Sequence, residues 1–127
     1  MANSFHQRMT KPIPAEIQSQ KYISLSTFRK NGTAVPTPVW FGERDGKLYV
    51  MTRNDSGKLK RIRNNPQVRI APSTMRGRVT GPEFPATARI LPPESWPQAR
   101  EAVRQKYWLA RLPIWSKENT YLEITPA

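Results

Sequence analysis

Residues 47–66, KLYVMTRNDSGKLKRIRNNP, hold the one dense polar constellation of this chain, and their reading decides the fold. Leu48 and Val50 alternate with polar neighbours as in a strand with one buried face. Asn54-Asp55-Ser56-Gly57 breaks that pattern, and Lys58, Lys60, Arg61 and Arg63 then surround Leu59 and Ile62 at helical spacing. Asn65-Pro66 stops the helix, because the residue before a proline is pushed toward extended geometry. A strand that ends where a helix begins aims free backbone N–H groups and the positive end of the helix dipole at one point, and here lysines and arginines add full charges. Such a corner suits a phosphate.

Outward from that stretch, strand and turn signals recur. Before it, 21–28 (KYISLSTF) alternates with period two, and Asn31-Gly32 follows as a hairpin signal whose residues tolerate positive φ, so the first two strands are expected to pair antiparallel. The second strand, Ala34 to Gly42, puts Val35, Thr37, Val39 and Phe41 on one face and Pro36, Pro38 and Trp40 on the other. Two prolines cannot both serve ladders, so this strand needs an edge, a bulge or a non-strand neighbour. A planar ligand along that edge is one option and an ordinary solvent-exposed edge is another. Asp45-Gly46 marks a second hairpin.

After the basic helix, Val68 and Ile70 define a fourth strand, Pro72 to Pro85 reads as irregular or bent, and Ala86, Ala88 and Ile90 share one face of a fifth. Ala99, Ala102, Val103 and Tyr107 switch to helical spacing over about 97–109, and a last strand spans 120–125. A short helical turn is expected near Glu16 to Gln20, and 1–14 reads as a flexible arm ahead of a single domain over 15–127. The sum is a mainly β fold with α: a six-stranded antiparallel split β-barrel with a short basic helix and one longer late helix.

Composition narrows the chemistry. The 127 residues carry 21 Lys and Arg against 9 Asp and Glu, a formal net charge of +12, so anionic partners are favoured. With no cysteine, thiol catalysis, thiolate metal sites and disulfides are excluded. The single histidine, His6, lies in a polar stretch and reads as a solvated tail residue. The carboxylates from Glu43 to Glu123 are dispersed, so neither catalytic residues nor a metal site are assigned. No run approaches the 18 or so apolar residues a membrane helix needs, and the N-terminus lacks an apolar signal core, so a cytoplasmic location is expected.

Four blocks carry a resemblance: TPVWF (Thr37 to Phe41), DGKLYVMT (Asp45 to Thr52), SGKLKRIRNNP (Ser56 to Pro66) and RGRVTGP (Arg76 to Pro82). In this order they resemble the pyridoxamine 5'-phosphate oxidase-like split barrels, in particular the branch of flavin and deazaflavin-dependent oxidoreductases that use coenzyme F420. The resemblance runs from about residue 15 to the C-terminus. It implies a homodimer with cofactor sites at the interface and a small-molecule substrate. It further implies that Ser56, Lys58, Lys60 and Arg61 hold the cofactor's phosphate while Pro36, Thr37, Val50, Met51 and Thr52 line its tricyclic ring.

Between Ala110 and Asn119 the chain is shorter than the arginine-rich stretch family members often carry there, and Trp108 and Trp115 read as substrate-side walls or as dimer packing. Nine basic residues against two acids between Arg53 and Arg89 favour the more anionic F420 over FMN, which stays the alternative. A non-enzymatic cofactor or haem carrier on the same fold, and a basic nucleic-acid-binding barrel, are the remaining readings. The last lacks aromatics beside the basic helix.

Overall fold

The computed structural model describes residues 13–18, 20–106 and 119–127. A short helix α1 (Ala15–Gln18) precedes strands β1 (Tyr22–Phe28), β2 (Ala34–Trp40), β3 (Gly42–Arg44) and β4 (Lys47–Arg53). Helix α2 (Gly57–Asn64), β5 (Gln67–Ser73), β6 (Phe84–Ile90), a 3₁₀ turn at Pro93–Ser95, helix α3 (Trp96–Lys106) and β7 (Asn119–Pro126) follow. Ile13, inside the stretch expected to form an arm, is buried in the main core. The expected helix end at Leu109, His6, Trp108, Trp115 and nearly all of Ala110–Asn119 lie outside the described residues.

All the strands join one antiparallel sheet in the order β2-β1-β5-β6-β7-β4-β3. Its two edge strands, β2 and β3, are separated in the chain by Phe41 alone, so the sheet has curled until its edges meet. This is the expected barrel with one correction: there are seven strands, not six, because the expected strand Ala34–Gly42 breaks at Phe41. Its first part pairs with β1 and its continuation with β4. A strand at the closure of a barrel has a neighbour on each side, and Pro36 and Pro38 leave β2 without the N–H groups for two complete ladders.

The turn chemistry follows the sequence. Asp45 (φ 53°) and Gly46 (φ 77°) form the two-residue link between β3 and β4, the geometry of a type I′ turn. At Asn31-Gly32 only the glycine is left-handed (φ 88°); Asn31 Oδ1 accepts a hydrogen bond from the Thr33 N–H at 3.0 Å, and the Arg29 N–H donates to the Thr33 carbonyl at 2.9 Å, closing a three-residue loop rather than a two-residue one.

Ile23, Leu25, Phe41, Leu48, Val50, Ile70, Leu122 and Ile124 fill the barrel, and Leu59 and Ile62 of α2 plug one end, as their spacing predicts. Fully burying one such side chain contributes about 1.5–3 kcal/mol. On the outer face, α3 packs Ala99, Ala102 and Val103 against Tyr49 and Tyr121. No described helix is long and apolar enough to cross a membrane.

Candidate functional site

The site begins where a ladder stops. In the β3–β4 hairpin Gly42 pairs with Tyr49, Glu43 with Leu48 and Arg44 with Lys47. Continued backward, that register would set Trp40 opposite Met51, Val39 opposite Thr52 and Pro38 opposite Arg53. Those pairs do not form. Instead these six residues, joined by Tyr22, Lys58 and Val103, line a cleft of about 360 Å³. The proline-bearing strand thus parts from β4 and leaves a split between them, and beyond Tyr49 the described ladder partner of β4 is β7.

The two walls differ. On the β2 side, Tyr22 and Trp40 lie ring against ring at 6.3 Å and 57°, with Trp40 among the few large apolar side chains that remain exposed. On the β4 side, Met51 is held by Asn119, whose Nδ2 donates to its Sδ at 3.4 Å, and Thr52 is buried. An apolar floor with polar groups confined to one end is the usual constitution of a small-molecule pocket.

That polar end is the N-terminus of α2. Ser56 caps the helix: its Oγ accepts the Lys58 N–H at 3.2 Å. Arg61, one turn later, folds back toward the start of the helix, where its Nε donates to Thr27 Oγ1 of β1 at 2.6 Å. Its guanidinium lies against Gly57, at whose Cα an added Cβ would come within 2.9 Å of Nη1. Burial, and then the charge of Arg61, holds the Lys58 amine below the ordinary lysine range. Two cations pressed together at a helix N-terminus lower their mutual repulsion when an anion joins them.

The residues expected at the site therefore divide. Met51, Thr52 and Lys58 line the cleft. Ser56 and Arg61 are outside the cleft lining and adjoin it through Lys58, Ser56 by its cap bond to the Lys58 N–H and Arg61 by its charge. Lys60 is exposed on the helix and outside the cleft lining, and Pro36 and Thr37 stand further up β2 than the segment Pro38–Trp40 that forms the wall. The Val50 side chain is fully buried in the barrel core, and Val50 is not among the residues that line the cleft. Sequence reasoning missed Tyr22, Pro38, Val39, Trp40, Arg53 and Val103. For Trp40 a signal existed, since it shares a strand face with two prolines; Val103 reaches the cleft only through the docking of α3. Among the described residues no cluster of His, Cys, Asp or Glu is arranged to hold a metal.

A curled antiparallel sheet with one unzipped seam defines the class: a split β-barrel. The sequence matches the pyridoxamine 5'-phosphate oxidase family over residues 9–127, and the chain belongs to that family. Among solved structures, the fold is similar to HutZ, the haem storage protein of Vibrio cholerae, at 16% identity and a TM-score of 0.68, covering 87% of this chain and 84% of that one. General Stress Protein 26 of Bacillus anthracis is similar at 27% identity and a TM-score of 0.62, covering 87% and 83%. A haem-binding protein of Mycobacterium smegmatis matches at 14% identity and a TM-score of 0.63 over 84% of this chain but 46% of its own length. No curated protein matches the sequence.

Proposed function

We propose that the chain is a flavin- or deazaflavin-dependent oxidoreductase that holds its cofactor in the split between β2 and β4, with coenzyme F420 as the preferred group and FMN as the alternative. The observation that carries this reading is the alignment of an unzipped, apolar-lined strand seam with a two-cation corner at its end. A flat heteroaromatic ring bearing a phosphate fits both parts. The Met51–Thr52 segment of β4 runs along the ring's edge, and Met51 and Trp40 keep water from its faces. Lys58, Arg61 and the positive end of the α2 dipole take the phosphate, joined by the Ser56 hydroxyl. Arg53 lines the same cleft, with its Nε already paired to Asp55 Oδ1 at 3.2 Å.

Such a cofactor supplies hydride chemistry, and the protein's share is to bind it, orient it and shield it. Among the described residues no wall covers the solvent side of the site, where Trp40 remains exposed. A second copy of the chain in a homodimer supplies that wall in our reading, with a small organic substrate entering between the two. A haem carrier is the second reading, favoured by the likeness of the fold to two structures described as haem proteins.

Titration of the purified protein with F420, FMN and haemin, followed by quenched cofactor fluorescence and by absorption, separates these readings. Micromolar binding of F420 or FMN supports the oxidoreductase. Tight haemin binding with neither flavin bound overturns it in favour of the carrier.

A further inference from the structure

We propose that Thr27 is a positioning residue for phosphate recognition, which it serves without touching the ligand: it stores the Arg61 guanidinium at the start of α2. The inference rests on the cleft's cationic end being a phosphate site, as read above. Three observations carry it. Thr27 is fully buried on β1, so its hydroxyl has no water to satisfy it, and Arg61 Nε meets it at 2.6 Å. An arginine side chain is long and flexible, and a free one at this position would spend most of its time in solvent. Anchored at Nε, it is held with Nη1 against Gly57, where any side chain would occupy the guanidinium's place.

The hydroxyl on β1 and the bare Cα at the first residue of α2 thus form a two-sided cradle. It places the Arg61 charge close enough to Lys58 to depress that amine. Preorganisation of this kind removes the ordering cost from the binding step. Thr27 lies outside residues 47–66, and its contact with Arg61 spans 34 positions of sequence.

The test compares each cofactor with its phosphate-free counterpart: FMN with riboflavin, and F420 with its phosphate-free deazaflavin chromophore. Thr27→Val keeps shape and removes the acceptor, and Thr27→Ser restores it. We expect Thr27→Val to weaken the phosphate-bearing ligand by about ten- to hundredfold, the share of one hydrogen bond to a charged group, and to leave the phosphate-free one unchanged. Thr27→Ser recovers most of that loss. Gly57→Ala, which leaves the barrel core untouched and favours the helix, is expected to produce the same selective loss by displacing the guanidinium.

Equal weakening of both ligands, or no weakening by either variant, overturns the proposal. Orthophosphate binding followed by phosphorus NMR separates the two levels. If the wild-type protein binds orthophosphate and no flavin, and Thr27→Val weakens it, the positioning role stands while the cofactor reading falls; if it binds no phosphate compound at all, both fall.

Discussion

The backbone of Gly42 lies directly beneath the carbonyl of Ala102, so close that a Cβ on Gly42 would overlap the α3 main chain. This contact seats α3 on β3, at the point where the chain crosses from one sheet edge to the other. Gly42→Ala must therefore push the helix off the sheet, and we expect it to destabilise the protein by about 1–3 kcal/mol in urea unfolding. Gly32→Ala is the control: open space surrounds it, and only its φ of 88° resists, at a cost of about 1 kcal/mol. Equal effects would show that the helix seat is loose.

For the cationic end of the cleft, Lys58→Ala with Arg61→Ala is expected to weaken binding of a phosphate-bearing flavin by 100-fold or more. Two charge-assisted hydrogen bonds at about 1.5–3 kcal/mol each set that scale. Because the Lys58 amine is held below the usual range by burial and by Arg61, affinity is full while that amine is protonated. It falls at a lower pH than an ordinary lysine would give. A fluorescence titration at rising pH checks this, and unchanged affinity in the double variant would mean that the site lies elsewhere.

Tyr49 reports on the packing of α3 against the sheet. Its hydroxyl donates to Glu123 Oε2 at 3.1 Å, and burial together with the Glu123 charge pushes its pKa up to about 12. The folded state thus holds a proton that the unfolded state releases near 10. The stabilisation is complete below pH 10 and is lost as pH rises toward about 12. Unfolding midpoints across that window should fall more steeply for the wild-type protein than for Tyr49→Phe; parallel curves would refute the linkage.

Lys106 clamps the crossing itself. Its Nζ sits 3.3 Å over the Phe41 ring and 3.1 Å from Glu43 Oε1, at the C-terminal end of α3 where a cation also complements the helix dipole. We expect Lys106→Ala to cost about 1–2 kcal/mol, and Lys106→Arg to recover part of it. Loss of stability equal in both variants would argue that the long stem, rather than the charge, makes the contact.

Much of this architecture is legible residue by residue. Asp45-Gly46 marks its turn because few residues accept positive φ in succession, and Leu59 and Ile62 mark their helix face because helical spacing leaves no other way to bury both. Ser56 and Asn65-Pro66 bound that helix through local hydrogen bonding and sterics alone. The cationic end of the site belongs to the same class of inference, since its charges are neighbours along one helix. The seventh strand is different. Pro36 and Pro38 announce a strand short of donors, yet that it breaks at Phe41 follows only from which strands lie on either side.

Residues 47–66 by themselves determined a strand, a capped turn and a basic helix, and with them a place for an anion, because periodicity, capping and charge act over a few residues. Only the tertiary structure decided that β2 and β4 part along an unzipped register, that Tyr22, Trp40 and Val103 wall the opening, and that Thr27 holds Arg61 in place. Those relationships join segments far apart in the chain, and they exist only once burial of the barrel core has curled the sheet onto itself.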